Sequence, residues 1–182
     1  MAEFELPERP EERVEDNPLI LPVSVTISTL AVLVALVTMF GHRAANEQIL
    51  LQAKASDQWN YYQAKNIRWH EMQANADLLG GLAPSDKEKT EALREKYVKQ
   101  AEKYEADKDE ISNEAKKLEA ERDVFGHREN RFDAGEALLE IGLVICSMTL
   151  LTKKKIFWFS GMAIAAIGVA IAITAFLLQV AG

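Results

Sequence analysis

The chain has 182 residues, 48% hydrophobic and 27% charged, with a formal net charge of −7. That acidic balance excludes a basic footprint for nucleic acid. Its single cysteine, Cys146, excludes a disulfide framework or a cysteine-built zinc site and reads as a small apolar packing residue.

Residues 1–17 carry Glu3, Glu5, Glu8, Glu11, Glu12, Glu15 and Asp16 against Arg9 and Arg13. A secretory leader begins with a basic segment, so this is not expected to be one. Pro7, Pro10 and Pro18 break helix and few apolar residues are present, which predicts a flexible or extended acidic tail, with docking on a basic partner as the alternative.

Three apolar runs follow, at residues 19–40, 137–151 and 156–180, and the first and third contain no charged side chain. A helix needs about 20 apolar residues to cross roughly 30 Å of hydrocarbon. The expected fold is therefore all-α: an integral membrane protein with three transmembrane helices, at residues 18–41, 134–151 and 156–180. Pro18 and Pro22 sit where a first helical turn tolerates proline. After Phe40 only Gly41 interrupts the pattern, so the first helix is expected to continue out of the membrane.

Residues 42–133 are rich in Glu, Lys, Ala and Gln and read as helix in water. Gly80-Gly81-Leu82-Ala83-Pro84 is the clearest break, because glycine closes a helix and proline cannot extend one. Ser85 and Glu88 have capping-box spacing. A second helix is expected from about Asp86 to about Arg131. The result is an antiparallel two-helix coiled-coil stalk with its tip at residues 80–84 and arms of very roughly 55 Å and 70 Å.

The second arm repeats Tyr97, Tyr104, Ile111, Leu118, Phe125 and Phe132 every seven residues, with Ala101, Lys108, Ala115 and Arg122 as the weaker row. The first arm offers Leu51, Ala55, Trp59, Tyr62, Asn66, Trp69, Ala76 and Leu79 at three-and-four spacing. Trp59, Tyr62 and Trp69 are expected to fill space opposite the alanines. Some aromatics are alternatively surplus to a two-helix seam and available to a partner or a second copy.

In the apolar runs, Ser24, Ser28, Ala31, Ala35 and Thr38 form one row of small residues, and Gly161, Ala165, Gly168, Ala172 and Ala175 another. Small residues let membrane helices approach closely, so both rows are expected packing faces, within the chain or between chains. Glu136 and Glu140 lie one turn apart. Glu140 is the deeper and is a functional candidate on that ground; the plainer expectation is an interfacial acid bonded to Thr38 or paired with Arg43. His42 and His127 lie on opposite arms, and folding about residue 83 brings them within a turn or so. That leaves open a metal or haem role, although solvated histidines are the more ordinary reading.

The basic loop at residues 152–155, with Lys153-Lys154-Lys155, predicts a cytoplasmic loop and an external stalk, since lysine and arginine stay on the cytoplasmic side. The stalk's own lysines and arginines argue against this, although long domains cross largely regardless of charge.

The segment Ala55-Ser56-Asp57-Gln58-Trp59-Asn60-Tyr61-Tyr62-Gln63-Ala64-Lys65 resembles the signature of the domain of unknown function 4337 family of bacterial membrane proteins. Arg43-Ala44, Leu118-Glu119-Ala120-Glu121-Arg122-Asp123, Arg131-Phe132 and Leu151-Thr152-Lys153 fit it too. The resemblance implies this layout and a bacterial inner-membrane location, and adds no chemistry.

No Gly-rich phosphate loop, nucleophile elbow or His-Glu-x-x-His is present. The chain is expected to be a non-enzymatic scaffold or accessory subunit without a cofactor. Its partners would be the lipid bilayer and either further copies of itself or a larger membrane complex. The alternatives are a small transport or proton-coupled component using Glu140, or an accessory subunit of a redox complex.

Overall fold

The structure is a computed structural model that describes residues 18–81 and 86–180, with side chains as far as residue 177. The acidic tail, Ser85 and most of the tip lie outside the described residues.

The chain is all-helical. α1 spans Ile20–Gly81, α2 Lys87–Thr152 and α3 Lys155–Val180. All three are long and apolar enough to cross a membrane by length and composition. At 1.5 Å per residue, α1 and α2 are rods of about 93 and 99 Å. After Pro22 the next proline is Pro84, so nothing breaks α1 between them.

The second arm does not end near Arg131, as the sequence suggested. No proline lies between Lys87 and Thr152, and Gly126, Gly135 and Gly142 stay helical. The polar arm and the second apolar segment are therefore one rigid element. The helix start also differs from the expected capping box: Asp86 is the N-cap, and its side chain accepts from the Lys89 N–H at 3.2 Å. α2 closes at Lys153, whose left-handed backbone (φ 55°, ψ 18°) lets its N–H reach the Thr149 carbonyl at 2.8 Å. A non-glycine residue there costs roughly 1–2 kcal/mol, and it provides the reversal that starts α3 two residues later.

α1 and α2 pack antiparallel, and α3 folds back along α2 with little contact to α1. A Cβ built on Gly41 meets Phe132, one on Gly126 meets Gln48 and one on Gly80 meets Arg94. This register pivots near residue 87 rather than 83, because α2 starts only at Lys87 and its first turns project past the end of α1. His42 therefore lies at the level of Phe132 and His127 at the level of Gln48. Both are exposed, and this register sets them about five residues apart along the helix axes, roughly 7–8 Å, against three for folding about residue 83.

Two clusters form the apolar core. Leu30, Leu139, Cys146 and Ala165 make one, with Val34, Val37, Leu143 and Trp158 against it. Ala44, Phe132, Ala172 and Ala175 make the other, with Phe40 and Phe125 against it.

Candidate functional site

The hairpin is held by a ladder of polar contacts over a narrow seam. Leu51, Ala55 and Ala76 of α1 and Ala101, Lys108, Ile111 and Ala115 of α2 are buried. Trp59, Tyr62, Trp69, Tyr97, Tyr104, Leu118 and Phe125 are only half-buried. The row that looked weak is thus the centre of the seam, and of the large row only Ile111 and, at the junction with the apolar segments, Phe132 are buried. Two helices approach closely over alanine, and the aromatic rings lie along the flanks where one ring edge stays in solvent.

Across that seam Trp59 Nε1 donates to Glu119 at 2.9 Å and Arg122 donates to Gln52 at 2.6 Å. Lys65 bonds Asp107 at 2.7 Å, with the two side chains 16% and 31% exposed. The hydrogen bond to Asp107, followed by that to Tyr61, raises the Lys65 pKa. The bond from Lys65 lowers that of Asp107. Lys108, 8% exposed, donates to Asn66 at 3.0 Å and stands 3.8 Å from the centre of the Trp69 ring. A buried ammonium needs an acceptor, and the amide and ring face meet that need. The sequence does not mark Lys65, Asp107 or Glu119 as cross-arm partners. On a charged helix nothing local distinguishes a cross-arm partner from a solvated side chain.

The glycine row of α3 meets α2 of the same chain. Gly161, Ala165, Gly168, Ala172 and Ala175 are all buried. Their counterparts are Gly135, Leu139, Gly142 and Cys146. A Cβ on Gly142 would lie 2.7 Å from the Gly161 carbonyl, and one on Gly168 2.7 Å from the Gly135 carbonyl. Backbone thus meets backbone, which only glycine permits. Gly135 and Gly142 repeat at seven residues, a signal in the sequence that was missed. The α1 row does not share this contact. Ser24 and Thr38 are half-buried, while Ser28, Ala31 and Ala35 are exposed on the surface of the chain.

Thr38 Oγ1 is 2.6 Å from Glu136 Oε1 and 2.9 Å from the Val34 carbonyl, and its single proton serves one acceptor at a time. The acid that Thr38 meets is therefore Glu136. Glu140, one turn further along, is exposed and reaches neither Thr38 nor Arg43. Trp158 Nε1 donates to Thr26 at 3.2 Å, the polar tie between α3 and α1 at the other end.

Where the apolar run of α1 ends, three rings pack together. Phe40 lies 6.2 Å from Phe132 and 5.2 Å from Phe176, and Phe132 lies 5.3 Å from Phe176. Arg43 stands over Phe40 at 6.0 Å and Arg128 over Phe125 at 5.2 Å. Arg131 donates to Thr174 at 2.7 Å and ties α2 to α3 beside them. The described residues contain no group of three or more histidine, cysteine, aspartate or glutamate side chains placed to hold a metal ion.

These features define an all-helical protein of three long apolar helices, two of them prolonged into a polar hairpin. The model of the family described as Domain of unknown function (DUF4337) matches residues 20–178, and the chain belongs to that family. No curated protein and no solved structure matches the chain.

Proposed function

We propose that the protein is a non-enzymatic scaffold or accessory subunit anchored in the bacterial inner membrane. In this reading its three apolar helices span the bilayer and the hairpin stands outside as a coiled-coil stalk, with Lys153, Lys154 and Lys155 on the cytoplasmic side. It works by presenting the stalk and by packing against further copies of itself.

The observation that carries the reading is an unpartnered stripe along the α1 arm. Ile49, Ile67 and Leu78 are 68%, 59% and 64% exposed. Ile49 and Ile67 are about five turns apart and so lie on one face, with Leu78 close to the same line. Ala53, Ser56, Asn60 and Ala64 lie between Ile49 and Ile67, all exposed and none charged, and past Ile67 the exposed Glu71 is the one charge on this face. A water-facing arm that served only to make the hairpin would carry charge on this side. Within the bilayer, the exposure of Ser28, Ala31 and Ala35 on α1 and of Glu140 on α2 supports a second contact of the same kind.

The test is the mass of the purified protein in mild detergent, measured by light scattering, for wild type and for Ile49→Glu with Ile67→Glu. The expected result is an oligomer that falls to smaller mass in the double variant while helix content is kept. An unchanged mass, with no chain lost from complexes isolated from native membranes, would refute the stalk as the working surface. Lys99→Cys in a Cys146→Ala background checks the orientation. It should react with an impermeant maleimide in intact spheroplasts, and reaction only after lysis would reverse the topology.

A further inference from the structure

The geometry points to a binding site for the phosphate headgroup of an anionic phospholipid at the junction of apolar segments and hairpin, between Arg43 and Arg128. The inference rests on the reading that the apolar helices lie in a bilayer.

The junction holds a cavity of about 540 Å³. Phe40, Phe125 and Phe176 give it an apolar floor, and Arg43 and Arg128 stand on its rim. Phe40 closes the apolar run of α1, so the cavity sits where hydrocarbon would give way to headgroups. α3 continues past that level: Ala172 and Ala175 pack against Ala44 and Phe132. Phe176 therefore extends an apolar wall from the bilayer up to the two guanidinium groups.

Neither arginine has an ion pair or hydrogen bond among the described residues. Arg128 Nε is buried and without a hydrogen-bond partner. Arg94 Nε, near the tip, is likewise buried and unbonded, but the same guanidinium donates to Glu91, and Arg122 bonds across the hairpin to Gln52, whereas Arg128 makes no bond at all among the described residues. A buried guanidinium N–H is costly to leave unbonded, and arginine's planar fork matches phosphate oxygens two at a time. The rings beneath offer their faces to the cations and their edges to an acyl chain. One carboxylate, Glu47, also lines the cavity and opposes an anion. Two guanidiniums against one carboxylate leave a net positive rim. A free phosphate would satisfy the arginines but leave the phenyl floor uncovered; a phospholipid meets both.

The experiment uses full-length protein in neutral detergent. Retained lipid is measured by native mass spectrometry during titration with phosphatidylglycerol or phosphatidylcholine. Wild type should hold phosphatidylglycerol about tenfold more tightly, as two arginines near a headgroup imply. Arg43→Gln with Arg128→Gln should abolish the preference. Lys153→Gln with Lys154→Gln, at the opposite end of the apolar helices, should keep it. Glu47→Gln should strengthen it, and decides the matter should the arginine variant fail to fold. No headgroup preference in wild type, an equal loss in the lysine variant, or no gain in Glu47→Gln would overturn the site. Displacement of the lipid by millimolar inorganic phosphate would reassign it to a free anion. Loss of a co-purifying chain from the arginine variant, with lipid retention unchanged, would reassign it to a protein partner. Flotation of wild type with phosphatidylcholine vesicles tests the bilayer reading by itself, so failure there is distinct from failure of the site.

Discussion

Substituting alanine for Gly161 tests the tightest of the glycine contacts among the described residues. The added Cβ would lie 2.5 Å from Cys146 Sγ, 2.6 Å from the Gly142 carbonyl and 2.8 Å from the Cys146 nitrogen. Ordinary contact begins near 3.4 Å. Two of the three neighbours are backbone on a long helix and cannot rotate away. The α2 and α3 axes must therefore part by roughly 0.7 Å at this crossing, and close-packed atoms on either side lose dispersion contact. Overpacking of this kind costs about 1–3 kcal/mol. Gly142→Ala strains the same crossing against the Gly161 carbonyl, so the double variant should cost less than the sum of the single changes. Gly81→Ala, where a Cβ meets nothing within 4 Å, is the control and should be neutral or slightly stabilising. Thermal melting in detergent by circular dichroism reads the stability. Cys146 is buried in the same contact and supplies a second readout: its reaction with a maleimide should speed up in Gly161→Ala and not in Gly81→Ala. An unchanged melt together with unchanged thiol reactivity would refute the backbone-to-backbone packing of α2 on α3.

Further outcomes follow from the hairpin and the apolar core. Asn66→Ala removes the acceptor of the buried Lys108 ammonium and should destabilise the hairpin by about 1–3 kcal/mol, read as a lower melting temperature; Lys108→Met in that background should restore much of the loss. The Lys65–Asp107 bond should stabilise the hairpin across neutral pH. Because the Asp107 pKa is lowered in the fold, that contribution is present above the ordinary carboxylate range and is lost as pH falls through the folded value. Because the Lys65 pKa is raised, it is also lost as pH climbs beyond the ordinary lysine range. Asp107→Asn should flatten both limbs of a melting-temperature profile against pH. Thr38→Val removes the hydroxyl beside Glu136 and should cost about 1–3 kcal/mol in the same melt, whereas Glu140→Gln should leave the melt unchanged because the exposed Glu140 has no partner among the described residues.

The helical nature of the whole chain, its three apolar segments and the break near residues 80–84 were legible in the sequence. Each depends on local chemistry: run length, periodicity, and glycine and proline as punctuation. The row from Gly161 to Ala175 was legible for the same reason, since small residues at helical spacing stand out in an apolar run. Its partner was not. That Gly135 and Gly142 of α2 receive it, rather than Ser28, Ala31 and Ala35 of α1, depends on the short Lys153–Lys154 link folding α3 back onto the helix just before it. The register of the hairpin likewise escaped a count from the tip, because the pivot lies where α2 starts and not at the midpoint of the break. That shift lengthened the axial offset between His42 and His127 and set Thr38 opposite Glu136. The rotation of each arm, which a count from the tip does not give, put alanines and Lys108 at the centre of the seam with the aromatics on its flanks. A one-dimensional pattern states which residues share a face. Which face meets which, and how far apart two helix axes settle, is decided by packing over the whole length of the rods. Only the tertiary structure therefore placed Phe40, Phe176, Arg43 and Arg128, drawn from three helices, around one cavity.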